Sequence, residues 1–304
     1  MKIWITGASG SLGEQLIKRL RGVFPDEELI FPNRNSLDLM NSRDVEEFVK
    51  TNKPTHVYHL AAVVYGIAGH MEYPTNSLLQ NTLIDQSVFS ALLKYPPKWV
   101  YYSSSVAAYG HPYISRCLTE KDWLIGLPHI SEYGYAMAKR HAKSYLDILH
   151  DVFGVRFVYG LTTNLFGSGD RFHDGRGHVI ISLLKKGVKA KKNNSVLNVW
   201  GTENASRDFL ATIDAASLLV DLIDSHADVV NIASGEEIFI SEIAEAVTQL
   251  LNIEGGYEFT GQNEGIVRRV CSIEKLNIFS SVAKTINTKS RIRRAIMDFN
   301  SIGY

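Results

Sequence analysis

Short apolar runs alternate with amphipathic stretches through the first half of the chain. Lys2–Thr6 is a strand-like run, and Ser11–Arg21 follows with Leu12, Leu16 and Leu20 at four-residue spacing, the stripe of a helix. Leu29–Pro32 reads as a second strand. Ser42–Asn52 reads as a helix opened by a capping Ser42 and stopped before Pro54. His56–Leu60, Trp99–Ser103 and Val155–Tyr159 are three further strands, separated by helical patterns over residues 75–94 and 132–152. Such alternation predicts an α/β protein with a Rossmann-type doubly wound parallel sheet covered on both faces.

The texture changes after Asn164. Residues 167–177 are polar and glycine-rich, a helix is expected near 178–186, and Val196–Trp200 reads as a strand. A helix over 212–225 and a buried strand at Val229–Ile232 return to the first pattern, and the tail from about 240 is helical and mixed. The expected division is a dinucleotide-binding domain of residues 1–163 plus 208–235 and a smaller α/β substrate domain of 164–207 plus 236–304. Arg291, Arg293 and Arg294 near the end read as a solvated helix face.

Composition narrows the function classes. Lys plus Arg and Asp plus Glu are both 32 in 304 residues, so neither nucleic acid nor an acidic membrane surface is an expected partner. No apolar run approaches the roughly 18 residues of a membrane span. The first seven residues read as a strand and turn, not as a signal peptide. Cys117 and Cys271 are too far apart for a metal knuckle and too few for a disulfide framework, so a cytoplasmic protein with inert, reduced thiols is expected. His56 and His59, three apart on a strand, face opposite sides and make no metal site.

Gly7, Gly10 and Gly13 stand in a GxxGxxG spacing between the first strand and the first helix. There, glycines let the backbone turn tightly and approach a pyrophosphate at the helix N-terminus, where amides and the helix dipole favour an anion. The second strand ends in Asn33-Arg34 with no acid to hold ribose hydroxyls; Arg34 suits a 2′-phosphate instead, which favours NADP(H). Asp38 is a candidate for the adenine edge.

Tyr135 and Lys139 share a helix face at YxxxK spacing. An ammonium beside the phenol is expected to lower its pKa and let it exchange a proton with a substrate oxygen near neutrality. With fourteen tyrosines in the chain, about one such pair is expected by chance, so context decides. The context is Ser103-Ser104-Ser105, directly after a strand, on the sheet edge where parallel sheets bind ligands. A serine hydroxyl there can hydrogen-bond the oxygen that the tyrosine protonates.

These residues together resemble the extended short-chain dehydrogenase/reductase superfamily, and within it the GDP-L-fucose synthase family. The likeness runs over about residues 1–275, through Asn33-Arg34, Leu37-Asp38-Leu39, His59 to Ala62, Gly66-Ile67, Tyr73-Pro74, Asn81, Asn164 to Gly167, His178 to Ile180, Trp200-Gly201-Thr202 and Arg207 to Leu210. The resemblance implies Ser105, Tyr135 and Lys139 as the catalytic set, with His178 as an acid. It implies a cofactor site of Gly7, Ser9, Gly10, Ser11, Leu12, Gly13, Asn33, Arg34, Asp38, Leu39, Leu60, Ala61, Ala62 and Asn81. It implies Asn164, Lys186 and Arg207 on the sugar nucleotide and its diphosphate; Trp200 reads as core or as ligand contact. It further implies a homodimer through the helices at 75–94 and 132–152, the second presenting Tyr145, Leu146 and Leu149.

The family's cysteine, two residues after the serine, is Ala107 here, and the tail beyond 275 does not match. The expected activity is therefore NADPH-dependent 4-reduction of a nucleotide-linked 4-keto sugar without epimerisation at both neighbouring carbons. Two alternatives stay open: an NAD-retaining nucleotide-sugar 4-epimerase using the same residues, and a non-catalytic NADP-binding sensor. A 4,6-dehydratase is disfavoured, because Val106 and Ala107 follow the serine where that chemistry needs an acid and a base.

Overall fold

The structure is a computed structural model and describes residues 1–113, 115–167, 179–261 and 266–301. The first half runs β1 (Lys2–Thr6), α1 (Ser11–Val23), β2 (Glu28–Ile30), α2 (Ser42–Asn52), β3 (His56–His59), α3 (Ile67–Glu72), α4 (Pro74–Lys94), β4 (Trp99–Ser105), α5 (Tyr133–Phe153) and β5 (Arg156–Thr162). Then come β6 (Asn164–Phe166), α6 (Val179–Lys192), β7 (Leu197–Val199), β8 (Ser206–Arg207), β9 (Phe209–Ala211), α7 (Thr212–Asp221) and β10 (Asp228–Ile232). The chain closes with β11 (Ile238–Phe239), α8 (Ile240–Leu251), β12 (Tyr257–Phe259), β13 (Arg268–Arg269), α9 (Leu276–Phe279) and α10 (Thr288–Ser301).

Six parallel strands form one sheet in the order β10-β5-β4-β3-β1-β2. The chain moves outward from β1 to β2, then returns to place β3 on the other side of β1. That reversal opens a crevice between the carboxyl ends of β1 and β3, where open α/β sheets bind ligands. One apolar layer packs α2, α4 and α5 against the sheet through Trp4, Val45, Phe89 and Leu146; the opposite layer packs α1 and α7 through Leu16, Leu20 and Leu218. Each fully buried leucine of this kind stabilises the fold by about 1.5–3 kcal/mol before ordering costs. His56 and His59 face opposite layers, His56 against Trp99 and His59 against Phe89 and Tyr102.

A third apolar cluster joins α6, α8 and α10 to β7 and β9 through Leu183, Val199, Phe209, Ile243 and Ile296. The strands of this part are short: β8 lies between β11 and β13, β12 pairs with β7, and β6 with β9. Leu276 and Ala283 from the tail pack instead into the layer containing α1 and α7. Arg291 is forked onto Asp214 of α7 at 2.9 and 2.7 Å, so it ties α10 to the sheet domain rather than serving only as a solvated charge.

Local chemistry moves several expected boundaries. β2 ends at Ile30, opposite Trp4, because Pro32 has no N–H for a ladder. The cap of α2 is Asn41, not Ser42: the Asn41 side chain accepts from the amides of Arg43 and Asp44. Helix α7 stops at Asp221, ahead of a turn in which Asp224 is left-handed at φ 61°. Leu146 and Leu149 are fully buried in the core, with Tyr145 stacked on Phe89, so they do not form an outer face of α5. The exposed apolar side chains there are Ile148 and Val152, with Leu79 and Leu83 on α4. Among the described residues, no helix is long and apolar enough to cross a membrane.

Candidate active site

The glycine turn is shaped for close approach. Gly7 is left-handed at φ 69°, and a Cβ on it would stand 2.8 Å from the Ala61 amide nitrogen. A Cβ on Gly13 would stand 2.4 Å from the Gly7 carbonyl oxygen and 2.7 Å from the Ala8 Cα. Gly10 caps α1 without any side-chain hydrogen bond, which leaves the helix N-terminus able to receive an anion. Thr6 locks the facing loop: its hydroxyl accepts from the amides of Leu60 and Ala61, both at 3.1 Å.

One cavity of about 1680 Å³ runs from this turn, past Ser105 and Tyr135, to Arg207. A single small-ligand pocket holds about 300–1,000 Å³, so this space suits two bound molecules. Gly7, Ser9, Gly10, Ser11, Leu12 and Gly13 line it at one end, with Asn33, Arg34, Asp38 and Leu39 beside them. Leu60, Ala61 and Ala62 form the facing wall; Asn164, Lys186, Trp200 and Arg207 line the far end.

Asn33 folds its side chain onto its own turn, accepting from the amides of Asn35 and Ser36, both at 3.0 Å. That turn presents Arg34 exposed, with no ion pair among the described residues. Asp38 accepts from the Met40 amide at 3.1 Å. Asn81 does not reach the cavity. It is buried and grips Val63, accepting from its amide and donating to its carbonyl at 2.9 Å each, so its part is to hold the wall that includes Ala61 and Ala62.

Ser105 ends β4 and accepts from the Ala107 amide at 3.1 Å, opening a short turn over Val106–Ala108. The Ser105 hydroxyl lies close to Tyr135, in the first turn of α5, and both line the cavity; the Ala107 methyl packs beside that ring. His70 covers the Tyr135 ring from α3, with centroids 4.9 Å apart.

The expected lowering of the phenol pKa is not what the structure produces. Burial pushes the Tyr135 phenol well above its ordinary value, with the negative charges of Glu132 and Asp85 adding to the rise and the nearby Ser105 hydroxyl opposing it. The Lys139 ammonium is itself fully buried behind the cavity wall, 4.6 Å from the Tyr102 ring centroid and 5.7 Å from that of Tyr135. Burial lowers its own pKa, and Asp85 counters that. A neutral phenol is the form that hands a proton to a carbonyl oxygen, the transfer that reduction of a ketone needs.

Three residues behind this pair escape any spacing argument. His59 bridges the Thr6 hydroxyl at 2.7 Å and Asp85 at 3.1 Å, and Asp85 accepts from the Tyr102 hydroxyl at 2.7 Å. This buried chain links the glycine-turn strand to the wall under Lys139.

At the far end, Asn164 donates to the Asp208 carbonyl at 2.8 Å. The Lys186 ammonium lies 4.3 Å from the Trp200 ring centroid, and Trp200 is 57% exposed, so it is a cavity wall and not core. Arg207 is buried with Nη1 donating to the carbonyls of Ser206 and Val267; burial, with Arg269 adding a like charge, pushes its pKa down to about 10. Asp208 fixes its strand by accepting from Ser234 and Gly235. His178 lies outside the described residues. Cys271 is buried, which raises its thiol pKa, as burial also does at Cys117.

A strand reversal with a glycine turn on one side and a Ser–Tyr–Lys set on the other defines a dinucleotide-binding α/β protein equipped for carbonyl–alcohol chemistry. The chain belongs to the NAD dependent epimerase/dehydratase family, whose profile matches residues 3–233. It is 30% identical over 279 residues to the GDP-L-fucose synthase of Sinorhizobium fredii, covering 90% of this chain and 88% of that protein. Among solved structures it is similar to a GDP-6-OMe-4-keto-L-xylo-heptose reductase from C. jejuni, with TM-score 0.89 and 21% identity over 99% of this chain and 98% of that one. It is likewise similar to a GDP-L-fucose synthetase from Naegleria fowleri bound to NADP, with TM-score 0.84 and 23% identity over 98% of this chain and 94% of that one.

Proposed function

We propose that this protein is an NADPH-dependent 4-reductase of a nucleotide-linked 4-keto-6-deoxy or related sugar, GDP-linked, serving cell-surface polysaccharide synthesis. The observation that carries this reading is the buried Tyr135 beside Ser105 on the wall of one cavity that Arg34 and Arg207 also line. Similarity to a GDP-L-fucose synthase and to a GDP-heptose reductase supports the same substrate class. The NADP bound to one neighbour supports the cofactor.

The cofactor, when bound, supplies the hydride that reduces the ketone carbon. The α1 N-terminus receives its pyrophosphate and Arg34 its 2′-phosphate. Ser105 orients the ketone oxygen by hydrogen bonding, and Tyr135 hands that oxygen its proton. Lys139 places a positive charge behind the pair, on the nicotinamide-ribose side of the cavity. Arg207 and Lys186 hold the diphosphate, with Asn164 and Trp200 on the sugar nucleotide; His178, outside the described residues, is the further acid. Residues 1–163 and 208–235 make the cofactor lobe and 164–207 and 236–304 the substrate lobe, although Phe209 and Ala211 pack with the latter. The setting is the cytoplasm.

The rival reading, a 4-epimerase that keeps its NAD, is disfavoured by Arg34 at the end of β2, where a retained NAD would be held by an acid. Protein denatured straight from purification should release no stoichiometric NAD in mass spectrometry; one NAD per chain would favour the epimerase.

Ala107 implies a second expected result. Epimerising the carbons beside a ketone takes a base and an acid on opposite faces, and a methyl group is neither. In D2O without NADPH, a GDP-4-keto-6-deoxy sugar should not gain deuterium at both C3 and C5 above the enzyme-free rate in NMR. Gain at both would defeat this part of the proposal, while Ala107→Cys should restore exchange. The exposed Leu79, Leu83, Ile148 and Val152 on the packed pair α4 and α5 support a homodimer through these helices. Light scattering at micromolar concentration should give twice the 34.0 kDa chain mass, and a monomer would remove the claim.

A further inference from the structure

Glu132 is the residue immediately before α5, three positions from Tyr135. Its side chain makes no cap bond and crosses 137 residues of sequence to Arg269 of β13. The pair is a fork: Arg269 Nη1 donates to Oε2 at 2.7 Å and Nη2 to Oε1 at 3.2 Å. Both partners are buried, Glu132 at 9% and Arg269 at 4% exposure, and both line the cavity. Arg269 Nε has no acceptor among the described residues, so Glu132 alone sets the orientation of the guanidinium.

Arg269 is also the register partner of Arg207 across the parallel β8–β13 pair. Two buried guanidiniums thus stand side by side, and the carboxylate forked to one of them belongs to the residue just before the catalytic helix. An anion drawn to this end of the cavity would pull on Arg269, and the fork would carry that pull to the backbone three residues from Tyr135.

We propose that Glu132 is a positioning residue that, through Arg269, couples occupancy of the diphosphate subsite to the placement of Tyr135. The proposal rests on the reading of the Arg207 strand as that subsite. Neither Glu132 nor Arg269 touches the reacting atoms; the fork sets where the first turn of α5 comes to rest. The expected signature is therefore in kcat and in the ordering of α5, with Arg207 keeping nucleotide affinity.

The probe is GDP, and the first readout is amide hydrogen exchange over residues 133–139. GDP should slow that exchange in the wild type by about threefold or more. Glu132→Gln should still bind GDP, by calorimetry, yet lose the slowing. With the ketosugar nucleotide, its kcat should fall about 10- to 100-fold while KM changes little. Equal slowing in the variant, or unchanged kcat, overturns the proposal. Because Glu132→Gln strands a buried guanidinium and can unfold the chain, the paired variant Glu132→Gln with Arg269→Met removes both charges. It should fold and bind GDP, and still lack the slowing; recovery of wild-type slowing and kcat would make the fork a purely structural tie and overturn the proposal. Failure of the wild type to bind GDP would instead remove the functional reading beneath it.

Discussion

Replacing Tyr135 with phenylalanine should lower kcat by about 10²–10⁴-fold, the usual worth of a positioned general acid. The ring stays, so the contact with His70 and the packing against Ala107 and Ala136 survive, and the variant should melt near the wild-type temperature. What disappears is the hydroxyl beside Ser105, and with it the proton for the ketone oxygen. Affinity for NADPH and for the sugar nucleotide should change only a few-fold. The wild-type pH profile carries the same claim. Burial raises the phenol pKa above its ordinary value near 10, so the phenol stays protonated as pH rises through neutrality. No basic limb from Tyr135 should appear below about pH 9 in kcat for reduction; a limb there that vanishes in Tyr135→Phe would contradict this assignment.

The second large effect is expected at the glycine turn. Gly13→Ala places a methyl 2.4 Å from the Gly7 carbonyl oxygen and 2.7 Å from the Ala8 Cα, both backbone atoms that cannot swing aside. Either α1 shifts away from the turn or the turn opens, and each choice spoils the surface that receives the pyrophosphate. Overpacking of this kind costs about 1–3 kcal/mol. Thermal unfolding should therefore show a lower melting temperature, and a fluorescence titration should show NADPH binding reduced beyond detection. Unchanged affinity and melting temperature would mean that the helix N-terminus is not the pyrophosphate site. Gly10→Ala is the milder comparison, because a Cβ there stands 3.2 Å from the same oxygen and meets nothing else within 4 Å.

What was readable beforehand shares one property: short range. The glycine turn spans seven residues and the YxxxK pair five, and both sit at strand or helix ends that the hydrophobic pattern itself marks. The sheet strands and their long helices were legible for the same reason. The chain Thr6–His59–Asp85–Tyr102 and the Glu132–Arg269 fork were not, because their members meet only after distant elements pack. Burial misled in two directions. Leu146 and Leu149 read as an outer face of α5 yet lie in the core, since that helix is covered on more than one side. Trp200 could be read as core, yet it is left exposed with a lysine over its ring. The phenol pKa went the other way from the spacing argument because burial, followed by the charges of Glu132 and Asp85, raises it. The short strands β8, β11 and β13 carry two residues each, too few for any periodicity to announce.

Reduction of a nucleotide-linked 4-keto sugar at the expense of NADPH is read most directly as cofactor oxidation by the purified protein against GDP-, UDP-, CDP- and dTDP-linked 4-keto sugars. NADPH should be consumed only when the ketosugar nucleotide is present, one equivalent per product formed, with the GDP-linked compound preferred and Tyr135→Phe nearly silent. No consumption with any member of the panel, or interconversion of sugars with no net loss of NADPH, would contradict it.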